Sequence, residues 1–400
     1  MANNNDKKVL NVPALRFPEF NGEWEKCKLS KVCSFFSGGT PPSSNKEYYN
    51  GNIPFIRSGE LHNDETELFI TKEGLDNSAA KMVEVGDLLL ALYGATSGDI
   101  AISKIKGAIN QAILCIRTKQ NKKFVESVWN KHVARLLQTY LQGGQGNLSA
   151  DIVKNIPFYF TNIEEQNKLA RFISLLDQRI AAQNKIIEKY ESLIQAICDT
   201  LIEAEQHKVE LSFNDFGEPY SGLSGKSSED FGEGCQYITY MNVYQNQIID
   251  ITDVGLVKIN ETEQQSVVRY GDILFTLSSE TPNEVGMGAV YLGDTYPLYL
   301  NSFCFGVHII DESKIFPPFL AYYISTKSFR KAVFPLAQGS TRFNLQKSDF
   351  MKKKFLFPTV EKQHKIYSVL KAYSDKLSVE KNIVNLLCEQ KSYLLRQLFI

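Results

Sequence analysis

The hydrophobic pattern of this chain repeats at long range. Positions 169, 173, 176, 180, 183, 187, 190, 194, 197 and 201 advance by alternate steps of four and three and are apolar except at Gln183. Such spacing aligns them on one stripe of an α-helix, the seam of a coiled coil. The same steps recur from Ile366 to Leu398, where Glu380 interrupts at the place of Gln183 and Lys391 takes the place of Ile194. The offset is constant at 197 positions (361 − 164): Glu164 matches Glu361, Gln166 matches Gln363, Lys168 matches Lys365 and Ile186 matches Ile383. Shared polar anchors at one offset point to a duplication rather than two unrelated amphipathic helices. Lys391 predicts a local weakening of the second seam.

Each helical copy follows a longer segment of mixed α/β pattern. Gly86-Asp87-Leu88-Leu89-Leu90 resembles Gly271-Asp272-Ile273-Leu274-Phe275, a turn feeding an apolar run that reads as a buried strand. Trp24 to Leu29 and Lys208 to Leu211 open the two halves, Ile109-Asn110 resembles Leu300-Asn301, and Gly144 to Asp151 resembles Gly339 to Asp349. Pro157 and Pro358 each come shortly before a helix whose first turn is acidic, as the helix dipole favours. The predicted fold class is α+β: two pseudo-symmetric mixed α/β domains and an antiparallel pair of long helices. The predicted boundaries are an N-terminal extension (1–23), a first domain (24–160), a helical spacer (161–206), a second domain (207–360) and a distal helix (361–400). A helix of about 40 residues spans ~60 Å at 1.5 Å per residue, so the domains are expected at opposite ends of a rod.

Composition changes little in this picture. The chain has 400 residues, enough for two cores. Its first 20 residues are polar, unlike a signal peptide, and no apolar run is long enough to span a bilayer. Seven scattered cysteines, without a Cys-x-x-Cys, suit reduced thiols in the cytoplasm.

The search for catalytic chemistry excludes more than it finds. Gly222-Leu223-Ser224-Gly225-Lys226-Ser227 resembles a phosphate loop, but Tyr220 stands where that loop requires its first glycine. Phe316-Pro317-Pro318-Phe319 and the Asn-Ile-Pro-Phe runs at 52–55 and 155–158 each miss one essential position of the Asn/Asp-Pro-Pro-Tyr/Phe motif of methyltransferases that act on amino groups, and prolines bounding strands and helices account for them better. The five histidines, at 62, 132, 207, 308 and 364, have no paired metal-ligand spacing.

Loop chemistry is richer. Arginine suits guanine, asparagine and glutamine suit adenine, and hydroxyls and glycine amides suit phosphates. On that basis the candidate DNA-contacting residues in the first half are Thr40, Ser43, Ser44, Asn45, Tyr48, Tyr93, Thr96, Ser97, Asn110, Gln111, Gln145 and Asn147. In the second half they are Lys226, Asn301, Ser340, Thr341, Arg342 and Asn344. Turn formation is the competing account of every one of them. Residues 102–123 hold six Lys or Arg and no acid, and residues 339–354 hold five against Asp349. The whole chain nevertheless has net charge −1, so partners would have to supply much of the positive surface for DNA.

The opening Leu15-Arg16-Phe17-Pro18-Glu19-Phe20-x-Gly22-x-Trp24, the Gly-Asp-Leu-Leu strand and the repeated half-plus-helix layout resemble the specificity subunits of type I restriction-modification enzymes. The resemblance covers essentially the whole chain. It implies two target-recognition domains that read a bipartite asymmetric DNA site, on helices that dock two methyltransferase subunits, with restriction subunits joining them. It also implies that this chain is not an enzyme and holds no cofactor. S-adenosylmethionine, ATP and Mg2+ would belong to partners performing adenine-N6 methylation or ATP-dependent cleavage. The rival readings are a helical scaffold without DNA specificity and a stand-alone DNA methyltransferase.

Overall fold

The structure, a computed structural model, describes residues 10–140, 148–260 and 262–400. The chain divides into two compact units, Met1–Asn184 with Asn382–Ile400, and Lys185–Lys381. Each unit contains one mixed α/β domain and one half of each of two long helices, Ile163–Ala204 and Val360–Leu398.

In the first unit a four-stranded antiparallel sheet has the spatial order Cys33–Ser37, Ile113–Thr118, Leu88–Ala91, Ile100–Ile102. Leu88–Ala91 is buried at every position, which explains its continuous apolar run. Gly86 makes the turn before it at φ +89°, where a side chain would be strained. A second sheet pairs Tyr49–Ile56 in parallel with Gly107–Ile109, through Phe55 beside Ala108 and Ile56 beside Ile109. A two-stranded ribbon, Glu25–Lys28 against Pro157–Phe160, closes the domain.

The second unit repeats this plan. Its four-stranded sheet runs Gly217–Ser221, Cys304–Ile309, Ile273–Thr276, Gly288–Val290. Phe231–Ile238 pairs in parallel with Tyr299–Leu300, and Lys208–Ser212 closes against Lys354–Pro358. Gly271 repeats the turn at φ +87°.

The seam positions are buried or half-buried in both helices. In the first unit Leu169, Ala170 and Ile173, early in one helix, share a core with Leu395, Leu398 and Phe399, late in or just past the other. In the second unit Ile194, Cys198 and Ile202 share a core with Ile366 and Leu370. Glu191 pairs with Lys381 and Glu205 with Lys362, so position rises in one helix as it falls in the other. Within each unit the helix segments are therefore antiparallel. Lys391 does not simply weaken the seam. Its ammonium lies 2.6 Å from Asp177, which Lys123 also meets at 2.7 Å, so an ion-pair network takes the place of an apolar contact.

The identical glutamines tie each helix to its own domain. Gln166, fully buried, accepts from the Asn121 amide at 3.1 Å and donates to the Thr161 carbonyl at 2.6 Å. Gln363, also fully buried, accepts from the Phe316 amide and donates to the Pro358 carbonyl, both at 2.8 Å. The described part of the N-terminal extension packs on the first helix. Arg16 forks onto Glu165 with two contacts of 2.7 Å, Phe17 meets Phe172 edge-on at 6.0 Å, and Trp24 is buried against Phe124.

Candidate DNA interface

Three loops of the first domain leave the same end of the four-stranded sheet. The sheet ends there because Ser37 lies opposite Leu114 and Ala91 opposite Ile113. Beyond Ser37 comes the Gly38–Thr40 segment, beyond Ala91 comes Leu92–Ser97, and the turn Asn110–Ala112 leads into Ile113. Hydrogen bonds stitch them together: Gly38 amide to Asn110 carbonyl at 3.2 Å, and Leu92 amide to Ala112 carbonyl at 2.8 Å. The approach at Gly38 is so close that a Cβ there would lie 1.7 Å from the Ile109 carbonyl oxygen. A fourth strand of chain joins at Leu148, whose amide donates to the Leu92 carbonyl at 3.1 Å.

The second domain builds the same edge from different side chains. Leu277 donates to the Phe303 carbonyl at 2.8 Å, and Leu345 donates to the Leu277 carbonyl at 2.8 Å, as Leu148 does to Leu92. The Asn301 side chain accepts from the Phe303 amide at 2.9 Å, and the Asn110 side chain accepts from the Ala112 amide at 3.0 Å. A Cβ on Gly222 would lie 2.0 Å from the Asn301 carbonyl oxygen.

The type I restriction modification DNA specificity domain matches this chain twice, over residues 21–192 and 223–388. The chain belongs to that family. The match accounts for the doubled architecture, and as a member the chain is a DNA sequence-specificity subunit. The MjaVIII specificity subunit of Methanocaldococcus jannaschii is 22% identical over 392 residues, covering 92% of this chain and 89% of that one. The MjaIX specificity subunit of the same organism is 27% identical over 181 residues, 42% of this chain and 41% of that one. Among solved structures, a type I S subunit from M. genitalium superposes with a TM-score of 0.54 at 17% identity, covering 97% of this chain and 99% of that one. A chain from a structural study of type I complex assembly gives 0.56 at 15% identity, with 93% and 96% covered. These two share the fold.

Of the candidate residues in the first specificity domain, Thr40 and Gln111 are brought together, the Thr40 hydroxyl 2.8 Å from the Gln111 amide oxygen, both exposed. Tyr93 is exposed at the start of its loop, following Leu92, whose amide meets the Ala112 carbonyl, and Thr96 is half-buried. The loop is anchored below by Trp129, whose indole donates to the Gly98 carbonyl at 2.8 Å. Ser43 and Ser44 are exposed, and Tyr48 is half-buried. Asn45, Ser97, Asn110 and Asn301 have local structural work: Asn45 caps a turn at the Glu47 amide, Ser97 donates to the Leu92 carbonyl, and the other two shape their turns. Gln145 and Asn147 lie outside the described residues. Lys226 pairs with Glu263, its side chain almost wholly buried.

The basic run over 102–123 is less available than its composition suggests. Lys104 pairs with Asp64, Lys106 with Glu84, Arg117 with Asp87, and Lys123 with Glu126 and Asp177. Arg117 to Lys123 moreover follow from the far end of the strand that begins at the loop edge. Burial opposes ionisation of the Asp87 carboxyl, but Arg117, the Glu84 amide and Lys122 together outweigh it and hold the group below its usual range. The second domain places His308 in the position of Arg117, with Nδ1 at 2.9 Å from Asp272.

Sequence reasoning passed over one feature of the second domain. A cavity of about 300 Å³ opens at its loop edge, lined by Tyr240, Met241, Tyr244, Ser278, Ser279, Glu280, Glu284, Phe303 and Arg342. Arg342 was a candidate, whereas the tyrosines and Phe303 carry no motif. Tyr240 and Tyr244 stack at 6.0 Å, the Tyr240 hydroxyl donates to the Ser278 carbonyl at 2.6 Å, and the Tyr244 hydroxyl donates to Glu284 at 2.7 Å. Burial pushes the Tyr240 phenol up, while Tyr244 and Thr281 hold the Glu284 carboxyl down. Ser340, Thr341, Arg342 and Asn344 are exposed on the adjoining hairpin.

Proposed function

We propose that each specificity domain reads one half of a bipartite, asymmetric DNA site through the loop edge just described, the first with Thr40, Tyr93 and Gln111 and the second with Arg342 and its neighbours. The observation that supports this most is the repeated edge. The backbone hydrogen bonds recur at Leu92 and Leu277 and at Leu148 and Leu345, while the exposed side chains differ. A fixed frame with exchangeable donors and acceptors is what reading two different sequences requires.

The chain acts without catalysis of its own in this reading. Two methyltransferase subunits would supply S-adenosylmethionine and methylate adenine N6 after drawing the base from the duplex. Restriction subunits would supply ATP- and Mg2+-dependent cleavage, and the assembly would work in the cytoplasm. Net charge −1 is consistent with partners that contribute cationic DNA-binding surface. The test exchanges residues 24–160 for the equivalent domain of a relative, expresses the chain with its methyltransferase subunits, and maps methylated adenines by single-molecule sequencing. One half of the motif should change and the other should persist. Alteration of both halves would refute one-domain-one-half reading, and sequence-independent methylation would favour the scaffold alternative.

A further inference from the structure

We propose that the second specificity domain requires a G·C base pair at one position of its half-site, with Arg342 reading guanine and Glu280 reading cytosine. The inference rests on the proposed reading of DNA by this edge and names the pair that it would select.

The geometry begins with a three-stranded sheet. Phe343–Leu345 lies between Ser278–Ser279 and Ala337–Gln338. Its register places Ser278 opposite Asn344 and Ser279 opposite Phe343, and Glu280 and Arg342 are the residues just beyond that last pair, one on each strand. Both side chains are exposed and line the same cavity, yet neither forms a hydrogen bond or ion pair among the described residues. The neighbouring Glu284 is already engaged by Tyr244 and Thr281. The hairpin bearing Arg342 turns at Gly339, φ +133°, where a Cβ would lie 2.1 Å from the Arg342 carbonyl oxygen. That close turn fixes the backbone from which the guanidinium extends. Below, Arg330 donates to the Asn283, Val285 and Gly286 carbonyls and holds the loop that follows Glu280.

The chemistry follows from these two unengaged groups. A two-stranded ribbon fits the major groove, where guanine presents O6 and N7 acceptors and its partner cytosine presents an N4 donor. The guanidinium fork matches the first and the carboxylate the second. A carboxylate so close to the DNA also repels a thymine O4 or a second acceptor, so Glu280 would reject other pairs as well as favouring this one.

The experiment uses the full chain with its methyltransferase subunits and reads methylated adenines across a genome. Arg342→Ala and Glu280→Gln should each relax the same single position, with the preference for G·C there falling about 5- to 150-fold, the equivalent of 1–3 kcal/mol for one bidentate contact. Arg342→Lys should also lose preference, because an ammonium cannot form the fork. The first half-site remains unchanged and acts as an internal control of folding and assembly. Motifs identical to wild type, or relaxation at two different positions, would overturn the G·C assignment while leaving the reading of DNA by this domain intact. A wild-type complex without any specific motif would instead overturn the proposed function.

Discussion

Gln363→Ala removes a side chain on which one helix and one domain converge. Gln363 is 0% exposed, accepts from the Phe316 amide at 2.8 Å and donates to the Pro358 carbonyl at 2.8 Å. Alanine deprives both backbone groups of that partner inside the protein, and a buried polar group left unsatisfied costs about 1–3 kcal/mol. Water entering the small vacated space would recover part of the loss, so about 3 kcal/mol is the expected sum for the two groups. For a unit the size of Lys185–Lys381, each kcal/mol lowers the melting temperature by roughly 2–4 °C, and the expected drop is roughly 6–12 °C. Differential scanning calorimetry measures it. Glu361→Ala is the matched control, two residues away and equally repeated, but exposed and paired with Lys365 on the surface. Its melting temperature should stay close to wild type. Equal shifts for the two variants would refute the assignment of Gln363 as the buried tie. Gln166→Ala should reproduce the effect in the other unit, through the Asn121 amide and the Thr161 carbonyl.

Other outcomes follow from the same geometry. Gly38→Ala and Gly222→Ala force a Cβ onto a backbone oxygen, so each should destabilise its own domain by about 2 kcal/mol or more, seen as a lowered denaturant midpoint; normal midpoints would show that the loops do not approach this closely. Burial would raise the Glu60 carboxyl, but Arg57, the Thr66 hydroxyl and the Glu67 amide hold it down to about 2. A depressed folded pKa contributes stability above the unfolded value near 4.5, and that stability is lost as pH falls from there towards 2. Melts of Glu60→Gln should therefore depend less on pH across that window, and an unchanged acid profile would count against the Arg57 pairing. Gln111→Ala should alter the first half of the methylation motif while Lys119→Ala, beyond the opposite end of the strand, should not; the reverse result would move the reading surface to the other end of the sheet.

What was legible from residue order was set by local periodicity. The two helices and their seam follow from the helical repeat, because burial of a helix stripe recurs with backbone geometry alone, and their constant offset follows from identical residues kept at matched positions. The Gly-Asp turns and buried strands at Leu88 and Ile273 were legible for a similar reason: a positive φ calls for glycine, and a strand covered on both faces reads as an unbroken apolar run. The paired glutamines stood out as identical, but their task did not, since their partners are backbone groups of Phe316 and Asn121 that side-chain identity does not encode. Tertiary structure alone decided which charges are available. Lys226 and most of the cations between 102 and 123 meet carboxylates distant in the chain, and Lys391 becomes part of an ion-pair network. It also decided the cavity of the second domain, where Tyr240, Glu280, Phe303 and Arg342 converge from four separate segments. Hydrophobic periodicity is a property of neighbours along the chain, whereas a hydrogen-bonding surface belongs to neighbours in space, and only folding brings those together.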